Sequence, residues 1–306
     1  MKQFLPVVFS HGWRKFAFSL FPTLFVCAAF NLKAQTASEQ SIYNSVPTWL
    51  GQGNAAITGS QALRNNACCP TATANGLAYL EQYASSIAFP DPFAVSPDNY
   101  TTINTFISMM GTTPAGTLDG NQLSALRTYL GSNAPNVTVA QSLSSNVTAG
   151  VLGNALSARN AVELGITWGN GTTFNNGGHE LTLVSMSLSG GSGTMTVLDP
   201  WGAGVGTNAG TAGVLETLTV STLNLTAANL PGFDAPGNYL EITYPITVSG
   251  PDDTFSQDGT TARGGNGQMG IIDADTIETL VPEPTSVALF GVGVAGVALR
   301  RFLRRV

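Results

Sequence analysis

The sequence predicts an α+β domain, with helices first and an antiparallel sheet after. Three observations predict it. Between residues 70 and 130 apolar side chains recur at helical spacing, as in Leu77, Leu80, Ala84 and Ile87. Between 161 and 248 the period drops to two. A glycine-rich turn, Ser189-Gly190-Gly191-Ser192-Gly193, joins two of the alternating runs as a hairpin.

The elements follow in order. Residues 35–60 form an entry segment, with a short helix over 42–50 that stops at Gly51. Pro70 opens a helix that runs to 85, because proline suits a first turn whose N–H has no partner. A second helix covers 100–110, with Ile103, Phe106, Ile107 and Met110 turned inward. A third covers 121–130, and 136–140 is a short strand. A helix over 148–159 follows, interrupted by glycines. Residues 161–168, 180–188 and 194–198 read as strands, and so do 214–220 and 239–248. Residues 251–280 are rich in Gly, Asp and Thr and poor in apolar groups, which predicts a flexible linker.

The two ends carry address information. Lys2, Arg14 and Lys15 precede an apolar run over 16–30, with cleavage expected near Ala29 or, preferably, Ala34. Residues 1–34 therefore read as a signal peptide. The bulky Val26 before Cys27 argues against a lipidation site. At the other end, Val281-Pro282-Glu283-Pro284 precedes an apolar stretch over 286–299 and then Arg300, Arg301, Arg304 and Arg305. Those apolar residues make a helix of about 21 Å, short for a hydrocarbon core of about 30 Å unless Phe302 and Leu303 join it. The arginines belong on the cytoplasmic side, which leaves the body of the chain outside.

The body, residues 35–281, holds four arginines (Arg64, Arg127, Arg159, Arg263), no lysine and seventeen carboxylates, a net charge of −13. Such a balance excludes nucleic acid and anionic lipid surfaces as natural partners. Its length suffices for one well-buried domain.

Chemistry concentrates in three places. Past the signal the chain has two cysteines, Cys68 and Cys69, and one histidine, His179. Asn65-Asn66-Ala67-Cys68-Cys69-Pro70-Thr71 places Cys68 where a loop enters a helix. Free N–H groups and the positive end of the helix dipole there favour thiolate, the nucleophilic form. The Cys68 N–H and an upstream side-chain amide can hold an oxyanion; Gln61 is the first choice, with Asn65 and Asn66 as substitutes. His179 opens a strand after Asn175-Asn176-Gly177-Gly178. Asp199 ends the partner strand, in Asp199-Pro200-Trp201-Gly202, where register around the hairpin can bring its carboxylate beside His179. A thiol, an imidazole and a carboxylate are the parts of an activated cysteine nucleophile. The competing reading is a strained vicinal Cys68–Cys69 disulfide, which would silence the nucleophile or act as a redox latch.

Other motifs carry no cofactor. Gly291-Val292-Gly293-Val294-Ala295-Gly296 matches a dinucleotide pattern but lies in the hydrophobic tail with no strand before it. The aspartates at 252, 253, 258, 273 and 275 lack calcium-loop spacing. Zinc would find too few His and Cys ligands.

Two resemblances add to this reading. The C-terminal Pro-Glu-Pro motif, short membrane helix and basic tail over 281–306 together resemble the PEP-CTERM sorting signal of Gram-negative bacteria. That implies recognition by an exosortase-type enzyme, a membrane-anchored intermediate, cleavage near the motif, and delivery to the cell surface or extracellular matrix. Residues 61–201 resemble the papain-like superfamily, and more closely the bacterial double-glycine leader peptidase-like domains. The likeness rests on Cys-X-Pro-Thr at a helix start, Gly-His before a strand and Asp-Pro after the next. It implies a papain-like fold over 35–250, a helical part carrying the cysteine against an antiparallel sheet carrying the histidine and aspartate. It implies cleavage of peptide or amide bonds through a thioester, with Cys68 as nucleophile, His179 as base then acid, Asp199 as orienter and Gln61 in the oxyanion hole. Cys69 stands where those domains more often carry Gly or Ala, and Gln61 lies seven residues before Cys68. The alternative is a non-catalytic matrix or adhesion protein that keeps the peptidase-like fold.

Overall fold

A computed structural model describes residues 35–45, 49–84, 100–143, 146–202, 209–230, 235–244 and 269–281. The expected signal peptide, the 251–268 part of the expected linker, Pro282, Glu283, Pro284 and the C-terminal apolar segment lie outside the described residues. Among those described, no helix is long and apolar enough to cross a membrane.

The elements run β1 (Gln35–Ser38), α1 (Gln40–Ser45), β2 (Trp49–Leu50), α2 (Gln61–Arg64), α3 (Cys68–Ala84), α4 (Tyr100–Met110), α5 (Asp119–Asn133), β3 (Val137–Leu143) and α6 (Ala149–Ser157). Then come β4 (Ala161–Gly169), β5 (Phe174–Ser189), β6 (Ser192–Asp199), β7 (Ala212–Leu225), β8 (Gly237–Thr243) and β9 (Met269–Leu280). The fold is α+β, and the strand pairs are antiparallel.

Strands β4, β5, β6, β7, β8 and β9 pair in sequence, and β9 pairs back to β4, so the ladder closes on itself. Closure removes the sheet edges that would otherwise need covering. One set of alternating side chains fills the inside, including Leu164, Leu181, Val197, Leu218, Ile242 and Ile272. The other face of the sheet packs on α3, α4 and α5 through Leu77, Leu80, Ile103, Phe106, Leu126 and Val184. Two cores thus share one sheet as their common wall.

The expected helix over 100–110 appears as α4 with the same ends, and those over 70–85, 121–130 and 148–159 appear as α3, α5 and α6 with shifted ends. The expected 42–50 helix divides instead. Helix α1 ends at Ser45, and Trp49 and Leu50 form β2, paired with Gly213 and Ala212 of β7. The expected linker is corrected more sharply. Residues 269–280 are β9, a central strand bonded to β3, β4 and β8. The domain therefore does not end at 250. Its acids misdirect the reading: Asp275 and Glu278 are buried, whereas charged residues usually mark solvated chain.

Candidate active site

Helix α3 starts at Cys68. Pro70 carries no N–H, so the first-turn donors nearest the thiol are the N–H groups of Cys68 and Cys69. Thr71 helps fix the entry, since its N–H and its hydroxyl both donate to the Ala67 carbonyl. The two thiols part at once. Cys68 is half-buried, while Cys69 is buried and donates to the Met110 sulfur at 3.8 Å. Neither sulfur is in a disulfide, so the two are not joined as a vicinal pair. Adjacent helical residues point about 100° apart, which turns one thiol to the site and the other to the core.

His179 lies inside β5 rather than at its start, because residues 174–178 already belong to the strand. Gly178 makes this possible. It pairs with Thr167, and a Cβ there would stand 3.1 Å from the Ile166 carbonyl. His179 itself pairs with Ile166. The β5–β6 register sets Thr182 opposite Leu198. Continued by one step, that ladder puts Leu181 opposite Asp199, and His179 is the next residue on the same face. The geometry closes accordingly, with His179 Nε2 2.8 Å from Asp199 Oδ1 and both side chains almost fully buried.

Asp199 is held from three sides. Its Oδ1 also accepts from the Trp201 N–H at 2.7 Å, and its Oδ2 accepts from the Tyr244 hydroxyl at 3.0 Å. Trp168 stacks against the imidazole at 6.0 Å between centroids and also packs on Tyr244. These groups wall the pair off from water. The Trp201 side chain is buried as well.

The electrostatics follow from this enclosure. Burial by itself lowers the His179 pKa. The Asp199 charge and hydrogen bond oppose it, and a hydrogen bond and charge from Cys68 add to Asp199, so the imidazole is pushed up to about 10. With Nε2 given to Asp199, the ring nitrogen left for the Cys68 side chain is Nδ1. Burial, with the Asp199 and Glu216 charges, drives the Tyr244 phenol far up, so it stays protonated and donates. Glu216 of β7 is pushed up to about 8 by burial and the Asp199 charge, with His179 pulling the other way.

The structure thus brings Cys68, His179 and Asp199 together. Gln61 is differently placed. Its Nε2 donates to Asn65 Oδ1 at 2.8 Å and its Oε1 accepts from Arg64 at 2.9 Å, so its hydrogen bonds run within its own segment. Asn65 Oδ1 accepts from the Ala209 N–H too, and Asn66 donates to the Ala62 carbonyl. Tyr244, Trp168 and Glu216 belong to the site's surroundings without having been legible. Each lies on a strand far along the chain, and none stands in a local motif. Alternation could have placed Trp168 on the inner face, but nothing local aims Tyr244 at Asp199.

Comparison with known proteins bears on the C-terminus. No curated protein matches the chain. Residues 280–305 match the family model described as the PEP-CTERM protein-sorting motif. The chain therefore ends in a PEP-CTERM sorting motif, which marks an exported protein for recognition by an exosortase and for sorting via the membrane to the cell surface.

Proposed function

We propose that the described domain is a papain-like cysteine hydrolase, akin to the double-glycine leader peptidase-like domains, that cleaves peptide or amide bonds outside the cytoplasm. One observation carries the reading. The thiol at the start of α3 hydrogen-bonds the only imidazole in the body of the chain, and that imidazole is bonded to a buried carboxylate. The order along the chain, Cys68, His179, Asp199, supports it.

The chemistry such a set performs is acyl transfer. The Cys68 thiolate attacks the substrate carbonyl carbon and forms a C–S bond, and the carbonyl electron pair moves to oxygen. The Cys68 N–H, at the start of α3, is the backbone donor for that oxyanion. The oxyanion collapses, the C–N bond breaks, and the His179 imidazolium gives its proton to the leaving amine. Neutral His179 then takes a proton from water, the hydroxide attacks the thioester, and the C–S bond breaks. The acid leaves and the thiolate–imidazolium pair is restored. Asp199 holds the ring in one orientation and balances its charge throughout.

Labelling by iodoacetamide, read by intact mass, tests the reading. Wild-type protein takes one fast label at pH 6, Cys68→Ala takes none, and Cys69→Ala labels like wild type. His179→Ala slows labelling at pH 6 by about 10²-fold, the scale of an ordinary thiol with few thiolates at that pH. An undiminished rate in His179→Ala would instead favour a non-catalytic surface protein that keeps the fold.

A further inference from the structure

Residues 49–53, between α1 and α2, run as a strap across three parts of the site. Leu50 takes a two-way bond from the buried Asn75 of α3: its N–H donates to Oδ1 at 3.1 Å and its carbonyl accepts from Nδ2 at 3.0 Å. The strap is thereby fixed to the helix that carries Cys68. Trp49 and Leu50 pair with Gly213 and Ala212, and the Gly53 N–H donates to the Gly210 carbonyl at 2.9 Å. Side chains have no room along this seam. A Cβ at Gly51 would stand 2.4 Å from the Ala212 nitrogen, and one at Gly53 1.8 Å from the Ala209 oxygen.

Gln52 lies between these two glycines and is fully buried. Its main-chain N–H donates to the Pro200 carbonyl at 2.8 Å, in the turn that follows Asp199. Its Nε2 donates to the Arg64 carbonyl at 3.2 Å and the Asn65 carbonyl at 2.9 Å. Those two oxygens belong to the end of α2, three and four residues before Cys68, where a helix leaves its last carbonyls unsatisfied. Its Oε1 has no partner among the described residues, so the amide acts wholly as a donor. One buried residue therefore ties the loop that delivers the thiol to the turn that carries the orienting carboxylate.

We infer that Gln52 is a positioning residue that sets the distance between Cys68 and the His179–Asp199 pair. The inference rests on the reading of those three residues as a reactive site. Glutamine suits the task for two reasons. A primary amide offers two N–H groups in one plane, matched here to two successive carbonyls, and it carries no charge into a buried seam. Without the amide, the end of α2 and the loop behind it lose their tie to Pro200. The thiol then drifts from the imidazole and loses its hydrogen bond to it.

The test is the pH profile of Cys68 alkylation by iodoacetamide from pH 5 to 10, in the full chain and in Gln52→Met, which keeps length and burial but loses the donors. Tm and far-UV circular dichroism are followed in parallel. Wild-type protein is expected to alkylate readily at pH 6. Gln52→Met is expected to shift the profile upward by about one pH unit, an approximately tenfold loss of rate at pH 6, with the alkaline plateau unchanged. A lower Tm alone does not move a profile measured well below the transition. A Gln52→Met profile that overlays a perturbed wild-type profile overturns the positioning role and leaves the reactive site standing. A wild-type profile of an ordinary thiol, indifferent to His179→Ala, overturns both. Should Gln52→Met fail to fold, Gln52→Glu replaces it. Its carboxyl retains one donor when protonated and none when ionised, so the profile must steepen as that carboxyl titrates, and an unchanged shape overturns the inference.

Discussion

Asp199 accepts three hydrogen bonds, from His179, the Trp201 N–H and Tyr244. A carboxylate so held cannot rotate, and its charge is what lifts the imidazole to about 10 against the effect of burial. Asp199→Asn keeps the shape and removes the charge. The imidazole pKa is then expected to fall, because burial is opposed only by Cys68. Cys68 alkylation at pH 6 should drop by about 10²-fold, checked by the same rate profile. A rate within about twofold of wild type would show that the charge is not what activates the thiol. Cys68, His179 and Asp199 were legible in the sequence, because the body of the chain offers one imidazole and each group sits in a distinctive local string. Gln52, Tyr244 and Glu216 were not, because an amide, a phenol or a carboxyl carries no local mark of what it will meet across the fold. Gln61, the amide chosen upstream, bonds Asn65 and Arg64 within its own segment.

Helix α3 reaches the sheet through Gly76. A Cβ there would lie 1.9 Å from Glu163 Oε1 and 3.3 Å from Glu278 Oε2. The two carboxyl groups therefore crowd one spot beneath the helix, and both are fully buried. Gly76→Ala gains about 1 kcal/mol of helix propensity, but the clash with a carboxyl that has nowhere to swing costs more, as overpacking of a filled core does. A net loss of about 1–2 kcal/mol is expected, read as a lower urea midpoint with the slope unchanged. A stabilised variant would mean that Glu163 can move aside. Helices α3 and α4 were legible because their apolar faces repeat cleanly. Strand β9 was not, since it carries Asp273, Asp275 and Glu278 through the protein, and periodicity arguments assume that acids face water. Likewise β5 begins earlier than its alternation suggests, because Gly178 pairs with Thr167 and Phe174 with Gly169 on either side of a register shift that reads as a turn.

Across the whole molecule the buried acids and His179 act in the same direction. Burial raises Glu163 and Glu278 well above the ordinary glutamate value and raises Asp275 as well, and Glu216 is pushed up to about 8. Unfolded glutamates titrate near 4.3. Between that value and the raised folded values the native state holds more protons than the unfolded chain, so stability falls as pH rises. His179 adds to this. Its contribution is fully present below about 6.5, the unfolded value, and is lost as pH climbs through about 10. The Tm should therefore peak in mildly acid solution and decline steadily toward pH 10. Glu163→Gln should flatten the decline, since an amide beside Glu278 needs no proton. A Tm maximum at pH 8 or above would contradict this balance. The general class, helices before an antiparallel sheet, was legible from the change of period, whereas closure of the sheet was not, because it depends on β9.

Strand β9 ends at Leu280, and the sorting motif begins at the same residue. The Val281 N–H still donates to the Asn136 carbonyl at 2.7 Å, so order reaches the residue before Pro282. The chain thus has no leash between domain and address label. Were the chain cut beside the motif, the processing enzyme would work flush against a folded wall, and the end it left would be a stave of a closed barrel. An exopeptidase arriving from such an end would find almost no tail to grip and would have to open the barrel to proceed.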